Sequence, residues 1–106
     1  MVINQYAVHW INLDPTLGSE VSKTRPCIII SPNEMNQYLR TVIIAPLTHT
    51  IKSYPSRVTC EVDGDKGSIM LDQIRTVDKV RIGSFIATLD PKEISEIKSV
   101  LNEMLC

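Results

Sequence analysis

The run Cys27-Ile28-Ile29-Ile30-Ser31, entered through Arg25-Pro26, constrains the fold more than any other stretch of the chain. Three consecutive isoleucines in a segment this short read as a strand, and without polar alternation that strand is buried on both faces. Pro26 has no backbone N–H and so belongs at the strand's mouth. It also biases Arg25 towards an extended backbone, which mounts the guanidinium at the entrance of a rigid element. The preceding polar segment carries Gly18, Glu20 and Lys23. A loop that only joins strands has no need of a charged cluster held against a buried strand, whereas a loop that presents Arg25 to an anion does.

Other short β-branched segments surround this one. From Tyr6 to Leu13 the order of residues places Tyr6, Val8 and Trp10 on one face and His9 on the other, the pattern of a half-buried strand that Asp14-Pro15 ends. A loop runs from Asp14 to Arg25. Ser31-Pro32-Asn33-Glu34 reads as a capping box, with Ser31 as N-cap and Glu34 reaching back to it, and predicts a short helix to about Leu39. Thr41 to Pro46 is a third strand that delivers Leu47-Thr48-His49-Thr50 into a loop ending near Pro55. Arg57 to Val62 alternates, Asp63 to Gly67 is a turn, and Ser68 to Asp72 returns as the second arm of a hairpin. Gln73 to Val77 and a charged turn lead to a last strand, Arg81 to Leu89.

Asp90-Pro91-Lys92-Glu93 is a second capping box, and Ile94, Ile97, Val100, Leu101, Met104 and Leu105 form an apolar stripe on the helix that follows. Stripes at this spacing pack against a core. The expected fold is therefore mainly β (α+β): a curled antiparallel sheet or SH3-like small barrel, with a short helix after strand 2 or 3 and an amphipathic C-terminal helix.

With 106 residues the chain is expected to form a single domain, 1–106, with one core. The net charge of −1 does not advertise a nucleic-acid binder, but acids outnumber bases after residue 81, leaving room for a basic face on the first part. Cys27, Cys60 and Cys106 form no C-x-x-C pair and no metal-like spacing with His9 or His49, so they read as reduced thiols of a cytoplasmic protein. No basic-then-apolar leader opens the chain and no apolar run approaches the roughly 20 residues that cross a bilayer, so no membrane association is expected. Phosphate-binding glycine loops, zinc motifs and serine-hydrolase elbows are missing, and neither cofactor nor metal is expected. Chemistry on such a chain rests on positioning, charge stabilisation and acid–base help from ordinary side chains.

Arg25 offers a planar fork suited to phosphate oxygens. Thr48 can donate a hydroxyl hydrogen bond to the same oxyanion. His49 is a natural base for a ribose 2′-hydroxyl, but shares a site with Thr48 only if the chain turns between them, because strand neighbours point to opposite faces. Asp72 could act as base or hold Arg25, and Gln73 could bond a base edge; the alternative for both is a polar pair bonding backbone. Cys27 reads as a small packed hydrophobe.

Three segments, "LDPTLGSEVSKTRPCIIIS", "VIIAPLTHT" and "DQIRTVDKVRIG", in this order and at these intervals, resemble the MazF/PemK family of toxin endoribonucleases. The resemblance covers nearly the whole chain and lies closer to the MazF branch. It implies a homodimer that cleaves single-stranded mRNA at a short sequence without metal, by 2′-hydroxyl attack, leaving a 2′,3′-cyclic phosphate and a 5′-hydroxyl. It further implies that Arg25 and Thr48 are the catalytic pair, that Glu20 and Gln73 line the substrate groove, and that an antitoxin with an acidic tail is the partner. His49 stands as a substrate-side residue and as one option for the base. The chain departs from the family in reading Gln5-Tyr6 for Gly-Asp, Thr24 for a frequent histidine, and Ser19 and Met70 at positions where the PemK-like branch has histidine and arginine. The competing readings are a CcdB-like gyrase-binding toxin, whose activity depends on a tryptophan-bearing C-terminus that this chain lacks, and a catalytically silent interaction module of the same fold.

Overall fold

The structure is a computed structural model that describes residues 2–13, 24–51 and 54–106. Its elements in chain order are β1 (Ala7–Asn12), β2 (Thr24–Ile29), α1 (Asn33–Tyr38), β3 (Thr41–Thr48), β4 (Arg57–Val62), β5 (Asp65–Met70), β6 (Arg75–Asp78), β7 (Ile82–Thr88) and α2 (Pro91–Leu105), with 3₁₀ turns at Leu71–Gln73 and Lys79–Arg81. The strands form one curled antiparallel sheet in the order β4-β5-β3-β2-β1-β7, with β6 also paired to β3. This is the mainly β architecture that the short strands predicted.

Strand β3 makes the curl possible. One of its edges pairs with β2, Ile28 facing Ala45. The remaining pairing is divided: Thr41 to Ile44 align with β6 and Leu47-Thr48 with β5. Pro46 stands in the gap between these two partners, where the ladder is already interrupted and a proline is tolerated. The strand therefore continues through Pro46 to Thr48, two residues beyond the expected end.

The sheet centre is buried on both faces, as the isoleucine run required. Val8, Ile28, Ala45 and Leu47 join one apolar cluster, while Ile11, Cys27, Ile29, Val42 and Ile44 join the other. Ile97 of α2 is fully buried in the first cluster, with Ile94, Val100 and Leu101 packed against it. The stripe runs out of cover at its end, where Met104 and Leu105 are exposed.

The capping box of α2 forms as read. The Asp90 carboxylate accepts from the Glu93 N–H at 2.8 Å, and Glu93 Oε1 accepts from the Asp90 N–H at 3.1 Å. Glu93 Oε2 accepts from the Glu61 N–H at 2.9 Å as well, which ties the helix start to β4. The box expected for α1 does not form. Pro32 is the N-cap, and the buried Ser31 hydroxyl instead donates to Asn36 Oδ1 and accepts from the Ile43 N–H at 3.0 Å. Ser31 thus fastens α1 to β3, where a buried donor had to be satisfied.

Strand β1 also departs from its expected alternation. His9 is 3% exposed and Trp10 43% exposed. Both faces of β1 are covered at the sheet centre, so His9 goes inside, with Nδ1 3.1 Å from the Gly83 carbonyl and its ring edge against Phe85. A register shift against β7 between His9 and Ile11 leaves Trp10 at an irregularity, near the open end of the sheet.

Candidate active site

A groove of about 400 Å³ opens where the start of β2, the end of β3 and the β4–β5 hairpin converge. Its described walls carry Arg25, Thr48, His49 and Lys66 as polar members, with Asp63 and Asp65 at the hairpin end. Trp10, Pro26, Leu47, Val62 and Ile86 supply apolar wall.

Arg25 is the second residue of β2, paired with Ile11 of β1, and is exposed. Its mount is rigid, because Pro26 is half-buried and Cys27 fully buried directly behind it. The Cys27 thiol donates to the Arg25 carbonyl at 3.5 Å. Burial pushes the Cys27 pKa up to about 12, against the opposing pull of the Arg25 and Arg75 charges, so this thiol stays protonated and serves as a donor. That agrees with its reading as a packed residue and not a nucleophile. Among the described residues the ion pair is Arg57 with Asp72, and none engages Arg25.

Thr48 ends β3, half-buried, and its Oγ1 accepts from the Thr50 N–H at 3.3 Å. That bond uses an acceptor lone pair and leaves the hydroxyl proton available to a phosphate oxygen. It also turns the chain at His49, so Thr48 and His49 both line the groove despite being neighbours. Behind them, β5 passes close: a Cβ added to Gly67 would lie 2.8 Å from the Thr48 carbonyl oxygen.

The hairpin brings Lys66 into the wall through a tight turn. Val62 pairs with Asp65, so Asp63 and Gly64 alone form the loop, with φ of 51° and 82°. Both values suit the left-handed turn that an Asp-Gly pair favours, and β5 consequently starts at Asp65, three residues before the expected Ser68.

Two other expected residues lie elsewhere. Gln73 is exposed on the 3₁₀ turn after β5, outside the described groove wall. Asp72 beside it accepts from Arg57 Nε at 3.1 Å and from the Ser56 hydroxyl at 3.2 Å. The Arg57 hydrogen bond holds its carboxyl below the usual range, and Asp72 steadies Arg57 where it had been considered for Arg25. Glu20 lies outside the described residues.

Comparison with known proteins places this architecture. The model of the PemK-like, MazF-like toxins of type II toxin-antitoxin systems matches residues 4–105. The chain belongs to that toxin family. Endoribonuclease MazF of Staphylococcus saprophyticus is 36% identical over 101 residues, covering 90% of this chain and 84% of the relative. Endoribonuclease EndoA of Bacillus subtilis is 29% identical over 107 residues, covering 95% and 92%. The MazE–MazF structure from Deinococcus radiodurans superposes with a TM-score of 0.83 at 25% identity, covering 99% of this chain and 97% of that one.

For this MazF-like toxin, sequence reasoning had singled out Arg25, Thr48 and His49, and the fold gathers these three in one groove. It had missed Lys66 and Trp10 as wall residues. The Asp63-Gly64 pair was a usable signal for Lys66, because a two-residue turn starts the return strand early enough to include it. Trp10 had no comparable signal, since the alternation of β1 pointed it towards the core.

Proposed function

We propose that this single toxin domain is a metal-independent endoribonuclease that cuts single-stranded RNA, with Arg25 and Thr48 as its catalytic pair. The observation that carries the reading is the convergence of Arg25, Thr48 and His49 on one open groove in a chain of the MazF-like toxin family. The endoribonuclease names of its relatives support the same activity.

The chemistry follows from the residue types. A ribose 2′-oxygen attacks the adjacent phosphorus, a P–O bond forms, and the bond to the 5′-oxygen breaks. The products are a 2′,3′-cyclic phosphate and a 5′-hydroxyl, which takes up a proton as the 2′-hydroxyl loses one. Charge accumulates on the non-bridging oxygens along this path. The Arg25 guanidinium answers that charge with planar donors. The Thr48 hydroxyl adds a neutral donor and orients the phosphate. His49 stands beside them as the candidate base for the 2′-hydroxyl.

The remaining features of the reading are the toxin's partners. An antitoxin is implied by membership of a type II toxin-antitoxin family. An acidic antitoxin segment would compete with RNA phosphates for Arg25 and Lys66, a homodimer would provide two such grooves, and the toxin would act in the cytoplasm. No helix among the described residues is long and apolar enough to cross a membrane.

The test is incubation of antitoxin-free protein with a long single-stranded RNA in EDTA, reading cut sites by primer extension and end groups by mass spectrometry. Cleavage at one short motif with cyclic phosphate ends is expected. Arg25→Ala should lower kcat by about 10²–10³, the usual cost of removing a charge-stabilising donor. Thr48→Ala should lower kcat with less effect on KM. Unchanged cleavage by a folded Arg25→Ala protein would remove the proposed site, and no cleavage by the folded parent would move the toxin to gyrase-binding assays.

A further inference from the structure

The groove lining holds both polar and apolar residues, and only the polar ones are used by the chemistry described above. Among the described groove residues, Trp10 is the one Trp, Tyr or Phe. It is 43% exposed, so part of its ring is open to a ligand in the groove. Trp10 pairs across the sheet with Pro26, the residue next to Arg25, so the indole's mount adjoins the arginine's.

The backbone holds Trp10 in this place. The register of β1 against β7 breaks at Trp10, between His9 paired with Phe85 and Ile11 paired with Ile82. Opposite the break is Gly83, where an added Cβ would lie 2.9 Å from the Trp10 carbonyl oxygen and 3.6 Å from its Cβ. No side chain fits there unless Trp10 or β7 shifts, so glycine is what lets β7 press against the tryptophan's backbone.

We propose that Trp10 is a stacking platform for the nucleobase adjoining the phosphate held by Arg25, and that Gly83 is the positioning residue that sets the platform. This rests on the single-stranded RNA reading of the same groove. A splayed single strand exposes both its phosphate and its base, and this groove offers cations for the one and, on the strand neighbouring Arg25, an indole for the other. Aromatic stacking accepts any base, because every base has a π-face. Trp10 therefore contributes grip and register, and leaves sequence selection to other contacts.

The chain contains one tryptophan, so indole fluorescence reports on Trp10 alone. The probe is an RNA spanning the mapped cut site, 2′-O-methylated so that it binds without being cleaved. Binding should quench the emission, and the quench should disappear when the base flanking the scissile phosphate is replaced by an abasic unit. On cleavable RNA, Trp10→Ala should raise KM roughly 10- to 100-fold, within the range expected for one base stacked on an aromatic ring, and Trp10→Phe should restore most of the loss. Against abasic RNA the parent and Trp10→Ala should perform alike, which a merely structural role for the indole would not produce.

Bound RNA that leaves the emission unchanged, or a quench that survives abasic replacement on both sides of the cut, would overturn the platform. These readouts use the parent protein and do not depend on Trp10→Ala folding. If Arg25-dependent cleavage persists in that case, the stacking proposal fails by itself. If RNA is neither bound nor cut, the nuclease reading fails and the platform with it.

Discussion

Substituting Gly67 by alanine tests how closely the β5 backbone supports Thr48. The added Cβ would stand 2.8 Å from the Thr48 carbonyl oxygen, closer than real Cβ contacts come, and the obstructing atom is backbone at the end of a paired strand. Thr48 or β5 must therefore shift by several tenths of an ångström. Overpacking of this kind costs about 1–3 kcal/mol, and each ~1 kcal/mol lowers Tm by roughly 4–8 °C in a domain near this size. Since misplacing a reacting group by ~1 Å can cost about 10²-fold, a smaller shift of Thr48 should cost about 10-fold in kcat. Gly64→Ala is the matched control in the same hairpin. Gly64 has φ of +82° and open space around its Cβ position, so alanine there costs about 1–2 kcal/mol of left-handed backbone strain and does not press on Thr48. Urea unfolding and steady-state cleavage of both variants separate the two effects. A Gly67→Ala protein as stable and active as its parent, or a Gly64→Ala protein that loses more activity than Gly67→Ala, would refute the argument.

Further outcomes follow from the titrating groups. Asp72 is held below its ordinary value chiefly by Arg57, so its contribution to stability is complete above the ordinary carboxylate pKa of about 4 and is lost as pH falls through the lowered folded value. Asp72→Asn should therefore cost at most about 1 kcal/mol at neutral pH, the Asp72 carboxylate being exposed to solvent. Its deficit in urea midpoint should shrink on acidification, and a deficit constant down to pH 2 would contradict the pairing. Burial pushes both Cys27 and Cys60 up to about 12, whereas Cys106 is exposed. Iodoacetamide at about pH 8 should modify Cys106 in the native protein and all the cysteines after denaturation. Mass spectrometry showing rapid native labelling of Cys27 would dismiss its role as a buried donor to Arg25.

The two capping boxes show how far local sequence reaches. Asp90 and Glu93 cap α2 as read because both partners lie within one helical turn. Ser31 has the same local signature, yet its hydroxyl goes to Asn36 and Ile43. The Ile43 N–H comes from a strand 12 residues on, and only the folded sheet brings it near. The isoleucine run likewise foretold burial on both faces of β2, a property of its composition. The inside position of His9 and the open position of Trp10 were not foretold, because alternation indicates two faces without saying where along a strand each face ends.

The candidate site divides in the same way. Arg25 before a proline and Thr48 after an apolar strand were visible, since each depends on its immediate neighbours. Their convergence with His49, Lys66 and Trp10 depended on β3 continuing past Pro46, on the bend at Thr48–Thr50 and on a two-residue hairpin turn. Gln73 was expected near these loops, but β5 begins at Asp65 and its groove end is Asp65 to Gly67, while Gln73 follows the other end. The sequence by itself determined which segments would be strands and helices, which of them had to be buried, and which side chains had the chemistry to hold a phosphate. The tertiary structure decided which of those side chains meet, because strand register and sheet curl are set by packing between residues far apart in the chain, and a shift of one residue turns a side chain to the opposite face.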